Sequence, residues 1–417
     1  MRRVVKVSRI RIIITIIVVV LTTLLTGCTG KEPNEIAYVV ALGIDSTDDD
    51  NYKITIQYAN TTQISGGASE SGGKAGSEIV DNVTIEAPNI YAGVGLANNI
   101  VSKSFSMSHA KLIVFSKEIA EKGVKDMIET LVRSEEIRPD VFIAVANTTA
   151  NDYLTSVNPE MEVNPAQYYQ LIYQKNQLVG IPDGQLREFF TGLYTDNYDS
   201  ILPVAGVIEG AGGNSQNDDK GQSKDGQNEG SEGSSESLDS FESKSSDDKD
   251  QNEKEKDAEK NTSKYEYDIK NYVGGETAIE KKNKAEAIGA AVFEKDKMVG
   301  ELGEVETEIC KMLKGDYTYS YLTYYNNDTP DIPITVKTTQ QKKPKYKIDT
   351  DKKTVDIELY IESDLYSLPA DYNVENKIED FERDVANYTS SACTEFINNF
   401  TKKYNSDILK LNEKVKY

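Results

Sequence analysis

The stretch from Ala211 to Lys264, "AGGNSQNDDKGQSKDGQNEGSEGSSESLDSFESKSSDDKDQNEKEKDAEKNTSK", sets the first limit on what this chain can fold into. Its only apolar residues larger than alanine are Leu238 and Phe241. Ordering a residue costs about 1–2 kcal/mol of backbone entropy, and so little apolar surface cannot offset that. Residues 210–264 therefore read as a disordered acidic linker that divides the chain. A shorter stretch of the same character, "SGGASESGGKAGSE" (Ser65–Glu78), separates two strand-like runs.

The second constraint lies at the start. Arg2, Arg3, Lys6, Arg9 and Arg11 lead into Ile12–Leu25, a run without charge. As a helix this run reaches roughly 21 Å at about 1.5 Å per residue, against about 30 Å of hydrocarbon in a bilayer. Residues 1–27 thus read as a secretory signal rather than a permanent span. An A-x-A-like cleavage site is missing. Instead Leu25-Thr26-Gly27-Cys28 has the Leu-small-Gly-Cys form of a bacterial lipobox, in which the cysteine takes an S-diacylglycerol group and, after cleavage, an N-acyl chain of the palmitate class. An uncleaved anchor with an incidental cysteine is the alternative, and the polar Thr29-Gly30-Lys31-Glu32 that follows favours lipidation. Each buried CH₂ contributes about 0.8 kcal/mol and two chains give stable anchoring, so Cys28 is the expected lipid attachment site.

Charge excludes one class of partner. The net charge is −22, and −27 once the five basic residues of the leader are set aside. Such a body repels phosphate backbones, so no nucleic acid is expected, and acyl chains rather than charge must hold the protein to a membrane. Cys310 and Cys393 are the remaining thiols, too few for a disulfide framework, and the sequence leaves open whether they bridge.

Around the linker, strand and helix patterns alternate. "IAYVVALGID" and "YKITIQYAN" read as strands joined by the polar "STDDDN". "NIYAGVGLANNIVSK" places Ile90, Val94, Ala97 and Val101 on one helical stripe. "KLIVFS" and "DVFIAVAN" read as strands flanking one helix, "KEIAEKGVKDMIETLVRSEE". Helices follow in "PAQYYQLIYQKNQ" and "DGQLREFFTGL", the latter with Asp183 placed to cap it. Beyond the linker, "EAIGAAVFEKDKMVGEL" reads as two strands meeting at Lys295-Asp296-Lys297, "EVETEICKMLKG" as helix and "YTYSYLTYY" as strand. "IPITVKT", "KYKID" and "KTVDIELYIES" are three further strands, before a helix over Val374–Tyr404 with a stripe of Ile378, Phe381, Val385, Ala392, Phe396 and Phe400. The expectation is an α+β protein of three mixed domains, each a sheet packed with helices: 28–209, 265–328 and 329–417.

No catalytic constellation emerges. His109, the single histidine, sits in "SMSHAKLIVF" at the mouth of a strand with no nucleophile in local sequence. "GVGLAN" at Gly93 begins like a dinucleotide fingerprint but ends on Asn98 inside a helical pattern, and "GASESGGKA" has Ala68 and Ala75 where a phosphate loop needs Gly and Ser/Thr. An EF-hand loop from Asp45 or Asp48 would need its twelfth-position Glu where Ile56 or Ala59 stands. Cys310 and Cys393 lie on apolar helical faces, and one histidine assembles no Cys/His zinc set. No enzyme activity, cofactor, metal or small-molecule substrate is expected; a binding, scaffolding or sensing role outside the cytoplasmic membrane remains.

The order of segments resembles the Ger(x)C family, the C-subunit lipoproteins of spore nutrient germinant receptors. Cys28 and its lipobox, "AYVVALGID" with "YKITIQYAN", "SMSHAKLIVFSKEIAEKGVKDMIETLVRSEEIRPDVFIAVAN", "LREFFTGLYTDNYDSILPVAG", "IGAAVFEKDKMVGELGEVET" and "KKYNSDIL" carry the resemblance. It implies a three-domain protein lipid-anchored on the outer face of the spore inner membrane. It further implies integral-membrane A and B subunits as partners and a non-catalytic role in the response to nutrients. Two departures stand out. The acidic insert exceeds the interdomain joint of the family, implying looser geometry between the first two domains. The chain also stops at Tyr417 without the tryptophan-containing stretch and final strand usual in the family. The third sheet would then lack an edge strand, as in a truncated copy or one covered by a partner. The alternative from another class is a solute-binding lipoprotein of a transport system, which would need two similar lobes around a cleft.

Overall fold

The computed structural model describes residues 11–20, 35–49, 51–59, 80–159, 162, 164–174, 180–195, 199–208, 271–277, 283–324, 333–368 and 378–415. The lipobox with Cys28, the Ser65–Glu78 stretch and the 210–264 linker lie outside the described residues. Residues 11–20 are helical with exposed Ile and Val side chains, and no described helix is long and apolar enough to cross a membrane.

Nine strands form one mixed sheet: β1 (Ile36–Ser46), β2 (Tyr52–Ala59), β3 (Val80–Ala87), β4 (Ser104–Ser106), β5 (Leu112–Ser116), β6 (Phe142–Ala146), β7 (Ile201–Val207), β8 (Ala285–Glu294) and β9 (Lys297–Leu302). The order is β3-β2-β1-β5-β6-β7-β8-β9, with β4 beside the start of β1. β1, β5, β6 and β7 run parallel in the middle; antiparallel pairs close both ends. Central strands covered on both faces must be apolar throughout, which explains the unbroken runs "LIVFS" and "FIAVA". In β1 the apolar register changes face. Ala37 and Val39 share one core with Leu42 and Ile44, while Val40 and Ala41 face the other. A bulge between Val39 and Ala41 supplies the extra residue that resets the alternation.

Helices α1 (Ile90–Ala97), α2 (Lys117–Lys122) and α3 (Lys125–Val132) cover one face together with α6 (Leu186–Tyr194). The single helix expected over 117–136 is interrupted at Gly123, whose φ of +123° ends α2. The Val124 N–H then donates to the Asp296 carbonyl at 3.0 Å, tying this break to the β8–β9 turn. The other face is covered by α4 (Ala150–Ser156) and α5 (Pro165–Gln174). Tyr153, Tyr169 and Tyr173 are fully buried there, and each hydroxyl is satisfied: Tyr173 bonds Tyr153 at 2.9 Å, and Tyr169 donates to Gln57 Oε1 at 2.5 Å.

Helix α7 (Glu304–Lys314) leads into a second sheet of β10 (Tyr319–Tyr324), β11 (Ile334–Asp349) and β12 (Thr354–Ser367). The two strands expected at "IPITVKT" and "KYKID" are one, with register shifts between Gln340 and Lys345. Pro344 lies within the shifted region, where its missing N–H breaks no regular ladder. Helix α8 (Ile378–Lys403) spans roughly 39 Å and joins the two sheets. Phe381, Val385 and Tyr388 pack on β10 and β11, while Cys393, Phe396 and Phe400 pack against β8 and α7. The expected stripe is corrected at its first residue: Ile378 is exposed, and Tyr388 and Cys393 fill the buried face. A short helix, α9 (Leu411–Lys414), follows.

The class is α+β, as expected. The block 265–328 is shared between the sheets: β8 and β9 extend the sheet of the first block, and β10 pairs with the third.

Candidate functional site

Asp45, considered and rejected as a calcium ligand, has a structural task. Its carboxylate, 5 % exposed, accepts from the Ala150 N–H at 2.6 Å and the Asn151 N–H at 3.0 Å. It thereby satisfies two free donors at the start of α4 from the end of a strand. Gly43 permits the close approach: a Cβ there would stand 3.0 Å from Leu154 Cδ1 and 3.1 Å from Ala150 Cβ. Burial raises the Asp45 pKa despite the opposing hydrogen bonds from Ala150 and Asn151. His109 is exposed in the turn before β5; its Nδ1 lies 3.0 Å from Ser108 Oγ and its ring meets Tyr38 edge-on at 4.8 Å. Cys310 and Cys393 are free and buried, and burial pushes their thiols up to about 11 and about 12. Among the described residues no group of three or more His, Cys, Asp or Glu is arranged to hold a metal ion.

The polar feature that sequence reading missed is a cleft of about 640 Å³ where α6, β7, α7, β11 and the region around α9 meet. Gly315, in the left-handed conformation at φ +81°, ends α7 and turns the chain into its wall. The Gln340 amide donates to the Met312 carbonyl at 2.9 Å, and the Tyr346 hydroxyl donates to Leu313 O, so β11 caps the helix end from outside. Lys311, 5 % exposed, donates to the Ile181 carbonyl at 3.1 Å. Burial lowers its pKa, while Glu308, Asp316 and Asp183 favour its charge. Asp183 lines the cleft but does not cap α6 as expected: Gln185 holds the N-cap position, and Asp183 accepts the Gln185 N–H. Glu308 accepts from Ser320 Oγ at 3.0 Å, and burial pushes its carboxyl up to about 7. The cleft draws its lysines from residues 311, 314, 343, 410 and 414, so no local spacing announces it.

Comparison with known proteins fixes the family. A model described as the spore germination protein N-terminal domain matches residues 30–207, and one described as spore germination B3/GerAC like, C-terminal, matches 288–417. The chain belongs to the Ger(x)C family of spore germination proteins. It is 26% identical over 174 residues to spore germination protein KC of Bacillus subtilis (strain 168), covering 38% of this chain and 42% of that protein. It is 28% identical over 145 residues to the putative spore germination protein YfkR of the same organism, covering 34% and 37%, and 26% identical over 148 residues to its spore germination protein B3, covering 33% and 36%. The matches span less than half of the length of these curated relatives. Among solved structures, that of the GerBC protein aligns with 89% of this chain and 85% of its own, at 14% identity and a TM-score of 0.45. Relative to the family, the acidic insert falls in the gap between the two matched domains.

Proposed function

We propose that this protein is a non-catalytic, lipid-anchored C subunit of a spore nutrient germinant receptor. In this reading Cys28 carries the S-diacylglycerol and N-acyl groups and holds the folded body at the outer face of the spore inner membrane. There it docks with integral-membrane A and B subunits. The observation that carries the reading is the pair of germination-domain matches, the first of which begins just after Cys28. The names of the relatives describe germination and no enzyme activity. Physically, two acyl chains suffice for stable residence on a bilayer, and confinement to a plane raises the effective concentration of the body near membrane partners. An acidic body makes the chains necessary, because its charge opposes anionic headgroups. The solute-binding alternative fits less well, since the described residues form one nine-stranded and one three-stranded sheet rather than two like lobes.

The test is Cys28→Ala in sporulating cells, with fatty-acid labelling, membrane fractionation and nutrient-triggered germination. The expected result is loss of label, release from the membrane and a germination defect. Normal retention and normal germination in the variant would defeat the proposal.

A further inference from the structure

Strand β12 bounds the second sheet on one side. Among the described residues it pairs only with β11, so its far edge carries main-chain N–H and C=O groups that no ladder takes up. Beside that edge a groove of about 1300 Å³ runs between β12 and α8. Its strand wall includes Val355, Ile357, Leu359 and Ile361, alternate residues that share the face of β12 toward the helix. Its helix wall includes Phe381, Val385, Thr389, Cys393, Ile397 and Thr401, every fourth residue and therefore one ridge of α8. These two walls match an extended segment laid along β12: alternate side chains descend onto the ridge while the main chain meets the open edge.

The opposite face of β12 selects what that segment carries. Asp356, Glu358, Glu362 and Asp364 alternate along it. On the paired side, β11 sets Lys347 opposite Asp356, Lys345 opposite Glu358 and Lys337 opposite Asp364, with Lys345 Nζ 3.5 Å from Glu358 Oε2. Like charges directly opposed across a strand pair are unfavourable. A second copy of β12, antiparallel about Tyr360, would set Asp356 against Asp364 and Glu358 against Glu362. A lysine-bearing strand instead repeats the match that β11 already makes. Charge thus selects the partner, and the ladder and the apolar groove hold it.

We propose that the groove between β12 and α8 docks an extended segment of another polypeptide, one that alternates apolar residues with lysine or arginine and adds a strand to β12. This goes beyond the receptor-subunit reading and does not rest on it. The experiment uses the full chain in detergent and a fluorescent peptide of about nine residues alternating lysine with valine or isoleucine. A glutamate version of the peptide tests charge. Two versions N-methylated at every second amide, one for each edge, keep the charge and test the ladder. In the protein, Ala386→Lys/Thr394→Lys puts bulk and like charge into the groove at two exposed positions of its helix wall. Asn387→Lys/Asn399→Lys makes the same charge change at exposed positions of α8 outside the groove and is the control. Expected is saturable binding of the lysine peptide with slowed amide exchange over Thr354–Leu365. Glutamate, N-methylation of one edge and the groove variant should each weaken it about ten-fold or more, and the control little. No binding, equal binding of both N-methylated peptides, or equal weakening by groove and control variants overturns the proposal. So does a dimer of the full chain in sedimentation that the groove variant alone disperses, because the groove would then hold a second copy.

Discussion

Glu308 offers the sharpest test of the electrostatics at the junction of the two sheets. Its carboxyl is pushed from an ordinary 4.5 to about 7 by burial; the Ser320 hydroxyl opposes the rise, Glu304 adds to it and Lys311 works against it. A change of that size corresponds to roughly 3 kcal/mol of difference between its protonated and ionised forms. Below pH 4.5 the group is neutral in both folded and unfolded chains, and the fold has its full stability from this source. Between 4.5 and about 7 the unfolded chain has released the proton while the folded one retains it, so stability declines as pH rises. Above about 7 the loss is complete. Glu308→Gln stays neutral at every pH and keeps an acceptor for Ser320, so its advantage over wild type should be smallest below pH 4.5 and grow by about 3 kcal/mol by pH 8. Burial raises Asp45, Asp183, Glu188 and Glu304 in the same direction, so only the difference between the two proteins isolates Glu308. Urea unfolding at several pH values across that range measures it. A difference that does not change with pH would refute the buried-carboxylate reasoning.

Two further outcomes follow from the buried polar groups. Asp45→Ala leaves the Ala150 and Asn151 N–H groups without their acceptor and should cost about 2–4 kcal/mol, with Asp45→Asn between it and wild type; an unchanged urea midpoint and unchanged amide exchange at Ala150 would contradict the capping role. In a Cys28→Ala background, Cys310 and Cys393 should resist maleimide until the chain unfolds, because both thiols are buried and poorly ionised; rapid labelling of either in the native protein would show that the α7–α8 core opens.

What could be read from sequence was what periodicity encodes. The runs at β1, β5 and β6, the turn at Lys295-Asp296 and the Gly315 stop of α7 all stand where local chemistry put them. Helix α4 escaped because "ANDYLTS" is short and rich in residues that favour caps and turns; it forms because Thr149 caps it locally and Asp45 caps it from across the sheet. The division of 117–136 turns on one glycine angle, and the fusion of two strands into β11 on bulges that absorb Pro344, neither of which periodicity reports. The lysine cleft was invisible for a stronger reason: its charges are spread over a hundred residues of sequence and meet only through the packing of α7, β11 and α9.

The acidic insert falls between two strands that pair with each other, β7 and β8. A joint between independent bodies would loosen as it lengthens. Here, however, the strands on either side of it are neighbours: Val207 pairs with Ala285, and the Ile208 N–H donates to the Lys284 carbonyl at 2.8 Å. Residues 271–277 then pack back over β7. The Gly274 N–H donates to Ile288 O at 3.1 Å, Asn147 donates to Gly274 O, and a Cβ on Gly206 would fall 1.9 Å from the Gly274 carbonyl carbon. Only glycine permits that approach. β7 and β8 therefore belong to one continuous sheet, and the geometry between them is set by their ladder and by the close approach at Gly206.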